Sequence, residues 1–456
     1  MAELSDRVNA IVVKELRQGV RGRGFTWALL LVQIVAVFAV MATLGEDVPR
    51  RGTHALWIVI GIPVLLLIPV TALDAIAGER PRGALETVLL TRLSARSIAW
   101  GKWAAYVSQT ALLLSSVIPF LVLRYFEGGV DIWADLRLLG AQFAISTVLV
   151  AGTVALAASP LAHGFRLLLT LFAGFSLTSM MQTALIERIN SGLPLLAPLA
   201  LCALLIVALV EGAAYEIAPL AERRPALVRA AACLAPVVAM QDQLGRTLQV
   251  DDASLFMVAA PLLSAGVMMG SLCEREQPAF ARRVPTTSWR GLLAIVFGPG
   301  WPSGAVFTLI LSAVAGAMFG VVHDDWVLPL VAVPGAFFVP LAILRLLRRF
   351  VGQGFRHYAA AQLLVALVAI ARGMASNSPP GWHLAVADVL GAVLPGAWLL
   401  TGLDTQTTLS YSTLVQVCAA VSLTSTSVIL LQAVGALRAR RRAALEHVAQ
   451  AVPAAA

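Results

Sequence analysis

Apolar runs follow one another along almost the whole chain, most of them close to the ~20 residues a helix needs to cross a bilayer. They fall at Phe25–Leu44, Ala55–Leu73, Trp103–Leu123, Leu138–Ala158, Leu167–Ile186 and Leu195–Gly212. Further along come Leu255–Leu272, Gly304–Val322, Val327–Leu347, Tyr358–Ala371, Leu384–Leu400 and Thr413–Leu437. Trp27, Trp57, Trp103, Trp326 and Trp398 stand near run ends, where amphipathic rings collect in an interface belt. The pattern predicts an all-α fold, a polytopic transmembrane bundle of about 12 spans.

Two polar segments interrupt the pattern. On a helix over Val8–Val20, Val12, Leu16 and Val20 share one face and Lys14, Arg17, Gln18 and Arg21 the other, which predicts an amphipathic helix lying in the membrane interface. Gly19, Gly22 and Gly24 follow where the chain must turn into the bilayer. The second segment, residues 79–102, carries Glu79, Arg80, Arg82, Glu86, Arg92, Arg96 and Lys102 between two apolar runs. Each cation at bilayer depth would cost about 2.5 kcal/mol or more, so a cytoplasmic loop is expected here. Thr87, Thr91 and Ser94 form a polar stripe and Leu85, Val88 and Leu89 an apolar one, which gives the loop a short helix of its own.

Composition and charge narrow the function classes. The chain is 59% hydrophobic and only 13% charged, far more apolar than a soluble core of this size requires. Its net charge of +8 is spread in short clusters beside apolar runs, the arrangement of the positive-inside rule and not of a nucleic-acid footprint. Lys14, Arg17, Arg21 and Arg23 precede the first run; Arg80 to Lys102, Arg166, and Arg223, Arg224 and Arg229 follow the second, fourth and sixth. Glu46, Asp47, Glu127, Asp131 and Asp135 occupy the alternate loops, diluted by Arg50, Arg51, Arg124 and Arg137. Both termini are therefore expected in the cytoplasm. Keeping the later clusters on that side requires Ala230–Met240 to cross as well, and Leu384–Leu400, with Asp388, Gly391 and Pro395, to be re-entrant. Glu211 and Glu216 then lie near the cytoplasmic interface, within reach of Arg223 or Arg224.

The run Asn9–Phe25, two spans, and then Glu79-Arg80, Gly83, Leu85-Glu86, Leu89-Leu90-Thr91, Leu93-Ser94, Ile98 and Gly101-Lys102 resemble the permease subunits of type-two ABC exporters, in a long bacterial form. The likeness covers residues 8–230, including Ile217–Pro225, with Ala84 where Thr or Ser is usual and Arg92 where Pro is usual. It extends weakly to Glu274–Val284 and Phe297–Gly304. The resemblance implies an elbow helix on the inner leaflet carrying Lys14, Arg17 and Arg21. It also implies a coupling helix that docks on a separate ATPase subunit through Glu79, Arg80, Gly83, Leu85, Glu86, Thr91, Ser94 and Lys102. A homodimer or a second permease would complete the assembly in a bacterial cytoplasmic membrane, with lipids and the ATPase as partners and no nucleic acid.

The chemistry of this chain points the same way. Gly101-Lys102 is followed by Trp103 and not by the hydroxyl residue of a phosphate-cradling loop, so ATP and Mg belong on the partner and no cofactor is expected here. The six histidines are scattered, and Cys202, Cys233, Cys273 and Cys418 share no metal-ligand spacing. No metal or catalytic residue is assigned, the substrate-binding residues are unknown, and the chain is not read as an enzyme. The expected organisation is an interfacial elbow helix (1–24), a six-span exporter-like permease domain (25–220) and a second multi-span membrane region (221–456). An ATPase-independent secondary transporter and a structural component of an envelope complex are the alternatives.

Overall fold

The computed structural model describes residues 10–43, 57, 60–78, 93–127, 132–159, 163–164, 166–171, 196–219, 222–244, 255–275, 293, 295–323, 327–347, 355–376, 389, 393–394 and 411–451. All regular structure among them is helical. The chain divides into two compact units, the first comprising residues 1–223 and 237–260, the second residues 224–236 and 261–456.

Unit one opens with α1 (Ala10–Arg21) and α2 (Arg23–Thr43), which meet at a 62° bend. The amphipathic split of α1 matches the sequence: Lys14, Arg17, Gln18 and Arg21 are exposed, while Ile11 is buried and Val20 packs on the core. A π-helical turn, Pro63–Leu67, leads into α3 (Ile68–Ala72) and α4 (Asp74–Ala77). The Ile68 N–H bonds Pro63 O, five residues back. Helix α5 (Ala95–Ser115) continues after a break at Ser116 and Val117 into α6 (Ile118–Glu127), and α7 (Ile132–Ala158) and α8 (Leu196–Ile217) complete the unit. Ala95, Ala99, Ala151, Ala157, Ala158, Ala213 and Ala214 dominate the core between α5, α7 and α8. Small side chains let helix backbones approach closely where lipid tails offer no competing hydrophobic drive. Buried polar groups of α7 tie down the irregular segment: Ser146 Oγ donates to Val64 O at 3.1 Å and Gln142 Nε2 to Trp57 O at 2.7 Å.

Helix α9 (Ala226–Leu244) contains Pro236, where the boundary between the units falls. Unit two continues with α10 (Leu255–Leu272) from Pro261 onward, then α11 (Trp301–His323), α12 (Val327–Leu346), α13 (Phe355–Ser376) and α14 (Tyr411–Ala451). One core packs Leu272, Ala305, Phe338, Leu341, Tyr358, Ile429 and Ala433 together. A second joins Ala232, Met268, Phe307 and Leu311.

Among the described residues, Ala95–Phe126, Ile132–Ala158, Pro198–Ile217 and Val415–Ala439 are long and apolar enough to cross a membrane, and the bent α1–α2 pair makes five. The protein is thus an all-helical membrane protein. The segments Leu167–Ile186 and Leu384–Leu400 lie largely outside the described residues.

Several charges fall elsewhere than their sequence positions suggest. The third span begins at Ala95 and not at Trp103, so Arg96 and Lys102 are helical residues and not loop residues. Arg124 and Asp135 form a buried ion pair at 3.2 Å, and Trp57, expected in an interface belt, is buried and donates to the same carboxylate at 3.1 Å. Arg229, expected to mark the membrane surface, is fully buried. Isolated charges are costly in an apolar bundle, but each of these has found an opposite charge.

Candidate functional site

The first turns of α5 are where the predicted coupling segment enters the described fold. Glu79, Arg80, Gly83, Leu85, Glu86 and Thr91 lie outside the described residues; Ser94 and Lys102 lie within them. Ser94 caps α5, its Oγ accepting the Ser97 N–H at 3.1 Å. Such a cap satisfies one of the orphan donors at a helix start, stabilising it by about 1 kcal/mol.

Two acidic side chains from separate helices grip the next two turns. Glu211 of α8, 7% exposed, accepts Arg96 Nε at 2.5 Å and Trp100 Nε1 at 2.7 Å on the same oxygen. Glu15 of α1 accepts Lys102 Nζ at 2.9 Å, and Lys102 is 2% exposed. Lys102 therefore offers its ammonium to α1 and not to an external surface. Trp103 donates to Thr147 O of α7 at 3.1 Å and meets Trp100 edge to face, with ring centroids 5.3 Å apart. The start of α5 is thereby tied to α1, α7 and α8 at once.

Close packing reinforces the α1 link. A Cβ at Gly19 would stand 2.1 Å from Gln109 Nε2, so the Gln109 amide lies directly against the α1 backbone and would have to turn aside for any side chain there. Lys14, Arg17 and Arg21 are exposed, and Lys14 Nζ lies 3.8 Å from the same Glu15 oxygen that Lys102 binds.

Glu211 and Glu15 hold roles the sequence did not assign. Glu211 pairs with Arg96, whereas the neighbouring arginine Arg223 donates to the Ala218 and Glu216 carbonyls. A signal for Glu15 does exist: it stands one turn after buried Ile11 and one turn before Gly19, on the inward face of a helix whose cations mark the outward one. For Glu211 the sequence shows only an acid at the end of an apolar run.

Unit two has its own buried charge. Arg229 donates to Ser271 Oγ at 3.1 Å, to Val296 O at 2.7 Å, to Gly298 O at 2.8 Å and to Glu274 Oε2 at 2.9 Å. The same Glu274 oxygen accepts the Gly300 N–H at 2.7 Å. Gly300 has φ 101°, a left-handed conformation open to glycine and strained for other residues. This explains the Phe297–Gly304 motif as a turn built around an arginine–glutamate pair. Among the described residues no three His, Cys, Asp or Glu side chains converge to hold a metal ion.

Comparison with protein-family models, with curated proteins and with solved structures returns no match.

Proposed function

We propose that this protein is the permease subunit of an ATP-driven ABC exporter, working with a separate ATPase that docks on residues 79–94 from the cytoplasm. The observation that carries the reading is the junction at the start of α5. A segment entering a helix that is bound within three turns to α1, α7 and α8 cannot be displaced without moving the bundle. ATPase closure would push that segment and shift the bundle between two packings, a population shift driven by nucleotide state on the partner. The exposed cations of α1 would lie on the anionic inner leaflet, each contributing about 1 kcal/mol of attraction.

The span from Lys102 to the buried Arg124–Asp135 pair is about 33 Å of helix, close to the ~30 Å hydrocarbon thickness. The Lys102–Glu15 and Arg124–Asp135 pairs would then sit at opposite membrane faces. About 12 crossings, cytoplasmic termini and a bacterial inner-membrane location complete the proposal, with a second permease copy or a partner permease completing the transporter.

The test is recovery of the ATPase with tagged permease. Glu79→Lys combined with Glu86→Lys should sharply reduce the recovered partner while the permease still inserts and folds, and undiminished recovery would count against docking at this loop. Cysteine probes at positions 14 and 17 should label from the cytoplasmic side, and a periplasmic reporter signal after Ala456 would refute the topology.

A further inference from the structure

A cavity of about 930 Å³ opens in unit two, where α10 and α12 end and α11 and α13 begin, with the middle of α14 closing one side. Its walls are mostly aliphatic, among them Leu272, Val339, Leu341, Val421, Val428 and Ile429. One cation stands in it. Arg345 places its guanidinium carbon 4.0 Å from the ring centroid of Trp301 and donates from Nη1 to Gln432 Oε1.

Among the described residues no carboxylate pairs with Arg345. Glu274 also lines the cavity, but its carboxylate is engaged by Arg229 and by the Gly300 N–H. The Trp301 ring orients the guanidinium without neutralising it, because a cation–π contact leaves the positive charge intact. An aliphatic cavity with one uncompensated cation at its polar end has the two parts that an anionic amphiphile needs, a trough for a chain and an anchor for a headgroup.

Four helix ends meet at the cavity, and helix ends carry backbone groups that acyl chains cannot satisfy but a headgroup can. Arg275 directly follows α10, and Arg438, Arg440, Arg441 and Arg442 lie about two to three turns beyond Gln432 on α14. Such clusters raise the local concentration of anionic lipid.

We propose that this cavity is a binding site for an anionic phospholipid of the surrounding leaflet, its phosphate on Arg345 and one acyl chain against the α12–α14 wall. The site does not depend on the ATPase reading.

The full-length protein should be reconstituted with phosphatidylglycerol or phosphatidylcholine, extracted in detergent, and its retained lipid counted by native mass spectrometry. Phosphatidylglycerol should be retained with about a fivefold preference, the size of one cation-to-anionic-lipid attraction. Arg345→Gln should abolish the preference, and Arg345→Lys should keep most of it. Val428→Trp, which fills the cavity and leaves Arg345 in place, should also lose the lipid and decides the matter if Arg345→Gln fails to fold. Equal retention of the two lipids, unchanged retention in the folded variants, or displacement of the lipid by inorganic phosphate alone would overturn the assignment.

Discussion

Arg229 and Arg96 each stand in the first turn of a helix, and each meets a glutamate from another segment. Arg229 spreads its guanidinium over a hydroxyl, two carbonyls and a carboxylate, all inside unit two. Arg96 makes one side-chain bond to Glu211, and its side chain is 59% exposed. The contrast separates two uses of buried charge. A guanidinium enclosed by four partners fixes one arrangement, because any displacement strands several donors at once. A single bond from an exposed guanidinium to a buried glutamate that Trp100 also holds strands fewer donors when the packing changes, which suits a joint between helices that move together. Lys102–Glu15 lies between these extremes, with the lysine buried and the glutamate 13% exposed.

The largest expected effect comes from breaking the enclosed pair. Arg229→Met leaves Glu274 buried without its cation and should destabilise unit two by about 3–5 kcal/mol, read as an early, separate transition in a thermal melt in detergent. Adding Glu274→Gln should recover part of the loss. Next is Gly304→Ala. The new methyl carbon would stand 1.9 Å from the Ser271 carbonyl oxygen, a backbone atom that cannot swing aside, so overpacking by about 1–3 kcal/mol or more is expected. An unchanged melting profile for this variant would show that α10 and α11 are not in contact there.

The intermediate case is Lys102→Met, with an expected loss of about 1–3 kcal/mol because Glu15 is left partly desolvated. Glu15→Gln in the same chain should restore some of it, and the double-mutant cycle should give a coupling above about 0.5 kcal/mol. Smallest is Arg96→Gln, about 1 kcal/mol in stability, because the buried Glu211 keeps the Trp100 N–H and the arginine itself is exposed. If the α5 junction transmits nucleotide state, this variant should nonetheless lower permease-stimulated ATP hydrolysis by the partner. A stable Arg96→Gln protein with full stimulation would make that contact incidental.

The apolar pattern located helices well. Leu255–Leu272 has the bounds read from sequence, and α2 begins two residues before its run. What the pattern misjudged was charge. Arg96, Lys102, Arg124, Asp135 and Arg229 group with loop charges in the sequence, because an unpaired charge is costly inside a span. Their partners lie far away in sequence in three cases: Glu15 for Lys102, Glu211 for Arg96, and Glu274 for Arg229. No local periodicity reveals such a pair. Arg124 and Asp135 are near neighbours, yet Trp57, which completes their site, comes from another helix. The amphipathic face of α1 was legible because all of its information lies within twelve residues.

The π-helical turn at Pro63–Leu67 also bears on the spacing around it. Ile60, Val64, Ile68, Ala72 and Ile76 are buried and recur every fourth residue. An ordinary α-helix advances about 100° per residue, so a four-residue repeat would creep by roughly 40° at each step and carry the later members off the packed side. A π turn takes in one more residue than an α turn and winds back part of that creep. The segment thus works as a phase corrector written into the chain. Deleting a single residue from 63–67 would let the turn close as an ordinary α turn with the helix beyond it keeping its phase, whereas the same deletion in a regular helix would swing everything beyond it by about 100° around the axis.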